Sequence, residues 1–103
     1  MQVEFKNRHL VQLYQEGESK KYPLPQGVIS KFFMRIQQLE AAIDIHDLWK
    51  TPALNFEKLR GFENRYSLRL DRKWRLELEI DWSDVEKTKG TVSIIELSKH
   101  YEG

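Results

Sequence analysis

Seven cations fall between residues 58 and 75: Lys58, Arg60, Arg65, Arg69, Arg72, Lys73 and Arg75, opposed there by Glu63 and Asp71. Five of the seven are arginine, whose planar guanidinium grips phosphate or carboxylate through paired N–H bonds in a way lysine cannot. The overall net charge of +1 conceals this cluster, because residues 1–57 balance seven cations against seven acids and residues 76–103 carry three against seven. An anionic partner is one implication. The competing implication is a solvated sheet face, salt-bridged to Glu77, Glu79 and Asp81. Cysteine is absent, which excludes a disulfide framework, a thiolate zinc site and a cysteine nucleophile. Chemistry must therefore use His, Tyr, carboxylates or cations. His100, near the C-terminus, reads on residue type alone as a solvent-exposed tail residue. His9 and His46 have no partner at ligand spacing and read as structural, so no metal is assigned.

These side chains need a scaffold, and 103 residues suffice for one compact domain spanning 1–103. Val3 and Phe5 alternate with polar neighbours as a short strand, and Asn7 then offers an N-cap for a short helix bearing Leu10, Leu13 and Tyr14, ended by Gly17. A polar, proline-containing loop follows. Ile29, Phe32, Phe33, Ile36, Leu39 and Ile43 recur every three or four residues and predict an amphipathic helix whose other face shows Lys31, Arg35 and Gln38. Asp44 to Trp49 adds a turn before Pro52.

From Asn55 the period changes to two. Phe56 with Leu59, then Tyr66, Leu68 and Leu70, then Trp74, Leu76, Leu78 and Ile80, then Val92 and Ile94 mark strands. Asp71-Arg72 occupies a tight hairpin position, and Ser83 to Gly90 forms a charged loop. The order β-α-α-β-β-β-β predicts an α+β fold with two N-terminal helices packed on one face of a small antiparallel sheet. No repeat is present, and the longest apolar runs are too short for a membrane span. The start Met1-Gln2-Val3-Glu4-Phe5 lacks the apolar centre of a secretory leader, so a cytoplasmic location is expected.

Alternation assigns the faces. With Tyr66, Leu68 and Leu70 under the helices, Arg65, Ser67 and Arg69 leave on the opposite side, as do Lys73, Arg75, Glu77 and Glu79. Like charges crowded across a ladder cost stability, which favours a surface that binds something. Trp74 reads as core and its neighbour Arg75 as the functional half of the pair. Trp49 and Trp82 are expected to cap the ends of the core.

The stretch Leu59-Arg60-Gly61, followed by Arg65-Tyr66-Ser67-Leu68-Arg69-Leu70 and Trp74-Arg75-Leu76, resembles the central signature of the HigB-like branch of the RelE/ParE toxins. The order of elements, the length and the His- and Tyr-containing ending agree with it. The resemblance implies a RelE-like fold and a bacterial toxin of a type II toxin–antitoxin pair, acting as a ribosome-dependent mRNA endonuclease without cofactor or metal. Its implied partners are a helix-turn-helix antitoxin of the HigA-like kind, the 70S ribosome and mRNA, with no membrane. The antitoxin would either cover the cationic site or make the toxin too bulky for its ribosomal slot.

Metal-free RNA cleavage requires removal of the 2′-hydroxyl proton, neutralisation of the phosphate and protonation of the leaving 5′-oxygen. The catalytic candidates are His100, Glu57, Arg75 and Tyr101. The RNA-binding candidates are Lys58, Arg60, Arg65, Arg69, Lys73 and Lys99. Many relatives carry His where this chain has Glu57, and end Asp-Tyr-His where it has Ser98-Lys99-His100-Tyr101. Aligning His100 with the terminal His puts Lys99 in the Tyr place, and shifting by one puts Tyr101 in the His place. Two rival functions remain open: a gyrase-poisoning toxin of the ParE branch, and a non-enzymatic module that holds RNA or an acidic protein on the basic sheet.

Overall fold

A computed structural model describes residues 1–99. The chain runs β1 (Gln2–Phe5), α1 (Arg8–Glu16), α2 (Gln26–Ala41), α3 (Ile45–Trp49), a 3₁₀ turn (Pro52–Leu54), β2 (Glu57–Lys58), β3 (Arg65–Arg69), β4 (Trp74–Trp82) and β5 (Gly90–Lys99). Local chemistry sets the boundaries. Asn7 accepts the amide of His9 at 2.9 Å and opens α1, Gly17 closes it, and Asp44 accepts the amide of His46 at 2.9 Å to open α3. None of these helices is long and apolar enough to cross a membrane.

The five strands form one sheet in the order β1-β5-β4-β3-β2. The pairs β2–β3, β3–β4 and β4–β5 are antiparallel, as expected, but β1 lies parallel to β5, with Val3 opposite Val92. The sheet is thus mostly antiparallel, with the β1–β5 pair as the parallel exception. A first strand can join the last strand in parallel because the intervening helices supply the crossover that such pairing needs. The hairpin between β3 and β4 is also longer than a two-residue turn. Leu70 to Lys73 form the loop, with the amides of Leu70 and Asp71 both donating to the Trp74 carbonyl.

Phe32, Ile36 and Leu39 of α2, Leu10 and Leu13 of α1, and Leu68, Leu76, Leu78 and Ile94 of the sheet lie at the centre of the core. Two expectations about α2 fail. Ile43 lies beyond the end of the helix and is 72% exposed, whereas Arg35, assigned to the solvent face, is 4% exposed. Arg35 falls three residues after Phe32 and four before Leu39, so it belongs to the buried stripe by position despite its charge.

Candidate active site

Register places the polar face of the sheet in rungs. Nearest the β3–β4 hairpin, Arg69 stands opposite Arg75, and Arg75 opposite Ser98. The next rung is Glu57, Ser67, Glu77 and Glu96, and the one after is Arg65, Glu79 and Ser93. Period two thus delivers the cations to one face, as the sequence predicts, but an acidic rung divides them.

The two arginine groups have different surroundings. Arg65 Nη2 donates to Glu79 at 2.8 Å and Nη1 lies 3.6 Å from Glu77, while the guanidinium sits 4.4 Å over the Phe62 ring. The bond to Glu79 raises the pKa of Arg65 against the opposing effect of burial. Arg65 is therefore neutralised, the salt-bridged arrangement that competed with anion binding in the sequence. At the hairpin end the situation is reversed: among the described residues, no carboxylate lies in ion-pair range of Arg69 or Arg72. Asp71 is the acid nearest in sequence, but its Oδ1 accepts the amides of Lys73 at 2.9 Å and Trp74 at 2.7 Å and so braces its own loop.

A cleft of about 60 Å³ opens here. Asn55 and Glu57 line it from the segment after the 3₁₀ turn, Ser67 and Arg69 from β3, Asp71 and Arg72 from the hairpin, and Trp74 and Arg75 from β4. Asn55 takes φ 43°, a left-handed conformation that asparagine tolerates, and its Nδ2 donates to Glu57 Oε1 at 3.2 Å. Arg75 Nε donates to Ser98 Oγ at 3.4 Å. Two guanidinium groups directly opposed on a ladder offer paired N–H donors from both sides to an anion placed between them. The Glu57 carboxylate, on the next rung, stands at the edge of the same cleft, where it can accept a proton.

Of the sequence-predicted residues, the cleft unites Glu57, Arg69 and Arg75. Lys73 belongs to the exposed hairpin beside it, and Lys99 ends β5 with Nζ 5.4 Å over the Trp74 ring. Lys58 pairs with Tyr66 at the β2 edge and Arg60 sits in the turn before Gly61; both are exposed, and neither lines the cleft. His100 and Tyr101 lie outside the described residues. Arg72 and Asn55 line the cleft without having been singled out for RNA binding, although Arg72 was legible as part of the cation cluster. No group of three or more His, Asp or Glu among the described residues stands where it could hold a metal ion.

Behind the cleft lies Arg35. Its Nε donates to the Arg69 carbonyl at 2.8 Å, Nη2 to the Ala53 carbonyl at 3.1 Å and Nη1 to Gln38 Oε1 at 2.8 Å, and burial lowers its pKa.

A Leu-Arg-Gly turn leading into β3 and an arginine pair across β3–β4 fit the expected toxin, and the family comparison decides the matter. The model of the HigB-like toxins, described as the RelE-like toxin of the type II toxin–antitoxin system HigB, matches residues 3–90. The chain is a HigB-like toxin. Solved structures similar to this HigB-like toxin include the YoeB dimer from Staphylococcus aureus, at 14% identity and a TM-score of 0.53, with 98% of each chain covered. The YoeB/ParE toxin from Agrobacterium tumefaciens gives 16% identity and a TM-score of 0.51, covering 98% of this chain and 100% of that one. At such identity the likeness carries the fold alone. No curated protein sequence matches the HigB-like toxin. A type II toxin implies an antitoxin as its partner.

Proposed function

We propose that this toxin is an endoribonuclease that cuts mRNA on translating ribosomes in the cytoplasm, with the cleft between β2, β3 and β4 as its active site. The observation that carries the reading is the Arg69–Arg75 rung beside the Glu57 carboxylate in one cleft. Arg69, Arg75 and Arg72 hold the scissile phosphate and the charge that grows on it. Glu57 takes the proton of the ribose 2′-hydroxyl. The 2′-oxygen then forms a bond to phosphorus as the bond from phosphorus to the 5′-oxygen breaks, leaving a 2′,3′-cyclic phosphate on one fragment. The departing 5′-oxygen takes a proton from an acid, the role that the sequence offers to His100 and Tyr101. Lys73 and Lys99 at the rim, with Lys58 and Arg60 farther along the edge, attract the flanking phosphates. Arg65, held by Glu77 and Glu79, has a supporting role. A HigA-like helix-turn-helix antitoxin restrains the activity.

Mapping of mRNA 5′ ends after induction tests this reading. Cuts are expected within translated frames, diminished about 10²-fold or more by Arg75→Ala, on the scale of losing one charge-stabilising donor. Glu57→Gln and His100→Ala are expected to abolish most of the remainder. Growth arrest with intact transcripts would overturn the proposal in favour of a gyrase-directed toxin. Persistence of function in Glu57→Gln and His100→Ala, with loss in Arg75→Ala, would favour a binding module.

A further inference from the structure

We infer that Arg35 is a positioning residue for the cleft: from the buried side of α2 it ties the Arg69 carbonyl to the Ala53 carbonyl, fixing the distance between the phosphate-binding strand and the segment that carries Glu57. The inference rests on the proposed nuclease site for its functional meaning, but its geometry is independent of that reading.

The carbonyls that Arg35 holds belong to segments that approach the cleft from different directions. Arg69 closes β3 and contributes its own side chain to the rung opposite Arg75. Ala53 lies in the 3₁₀ turn, immediately ahead of the left-handed Asn55 whose amide braces Glu57. β2 is only two residues long, so the ladder alone gives Glu57 little anchorage. A planar guanidinium reaching both carbonyls at once supplies what the short strand lacks. Gln38, one turn further along α2, accepts the third donor at 2.8 Å and holds the fork in orientation. Arg35 is 4% exposed and has no carboxylate partner among the described residues. A buried cation without a counterion is a costly way to fill a core position that leucine or methionine would fill, which favours a role in geometry over one in stability alone.

Arg35→Lys is the decisive variant, because one ammonium keeps the charge but cannot span both carbonyls in the same plane. Arg35→Met serves as the uncharged companion, and Leu13→Ala, fully buried in α1, which contributes no residue to the cleft lining, as a control for lost stability. Each is compared at temperatures giving equal folded fractions. Arg35→Lys is expected to shift the amide resonances of Asn55, Glu57 and Arg69 while leaving those of β1 in place, and to weaken binding of an uncleavable 2′-deoxy oligonucleotide several-fold. In single-turnover cleavage of mRNA on programmed ribosomes the maximal rate should fall about 10²-fold with a smaller change in the half-saturating concentration, the scale of an ångström of misplacement. Wild-type-like resonances and cleavage in Arg35→Lys would overturn the inference, as would losses matched by Leu13→Ala. If the wild type fails to cleave mRNA on programmed ribosomes yet Arg35→Lys still shifts the cleft resonances and weakens oligonucleotide binding, the nuclease reading fails and the positioning role stands.

Discussion

Replacing Arg65 by methionine tests whether this arginine serves the sheet rather than an anionic ligand. The Arg65 and Glu77 side chains are 17% and 10% exposed, whereas Glu79 is 47% exposed. The arm to Glu79 is half in water and contributes about 0–1 kcal/mol. The arm to Glu77 is different, because methionine leaves that buried carboxylate, opposite Glu96 and beside Glu79, without its one ion-pair partner among the described residues, and breaking such a pair costs about 3–5 kcal/mol when burial is complete. With burial a little short of complete, about 3 kcal/mol is expected for the substitution, or a fall in Tm of roughly 12–24 °C at ~4–8 °C per kcal/mol. Thermal and urea unfolding read this directly. Adding Glu77→Gln to Arg65→Met should return about 2 kcal/mol, since the orphaned charge is then gone. Below the unfolding transition, oligonucleotide affinity should match the wild type, while Arg69→Met should lose it. A stability loss under 1 kcal/mol, or equal loss of RNA affinity in Arg65→Met and Arg69→Met, would refute the reasoning.

Gly90 stands opposite Trp82, and a Cβ there would lie 2.3 Å from the Asp81 carbonyl oxygen, so Gly90→Ala should cost about 1–3 kcal/mol by chemical denaturation because two ladder backbones must separate. Phe32→Ala empties a fully buried site where α2 meets the sheet and is expected to lose about 3–5 kcal/mol in the same assay. The Thr88 hydroxyl and the amides of Lys89 and Thr88 hold the Asp84 carboxyl below its ordinary 3.8. Its contribution is therefore present above that value and lost as pH falls through the depressed folded value. The Tm difference between wild type and Asp84→Ala should accordingly shrink on acidification, with faster amide exchange at Thr88 and Lys89 in the variant at neutral pH.

Period and punctuation made the elements legible. The apolar stripe of α2, the caps at Asn7 and Gly17, and the alternation through β3 and β4 are properties of neighbouring residues, governed by backbone geometry that operates before any tertiary contact forms. The same alternation assigned Arg65, Arg69 and Arg75 to one face, and Leu59-Arg60-Gly61 with Trp74-Arg75 pointed to the toxin family. Register was beyond its reach: which acid stands beside which arginine depends on pairing between distant strands, and this pairing gave Arg65 to Glu77 and Glu79 while leaving Arg69 opposite Arg75. The parallel docking of β1 on β5 has the same origin, since edge pairing is chosen by how the helices cross the sheet. Arg35 is the clearest case. Helical spacing placed it on the buried stripe, but its charge argued for solvent, and only the Arg69 and Ala53 carbonyls brought within reach by the folded chain make burial of a guanidinium affordable. Sequence thus determined the elements and their faces through local periodicity. Tertiary structure decided which charges neutralise each other and which gather at the cleft, because Coulombic pairing depends on distances that only the assembled sheet defines.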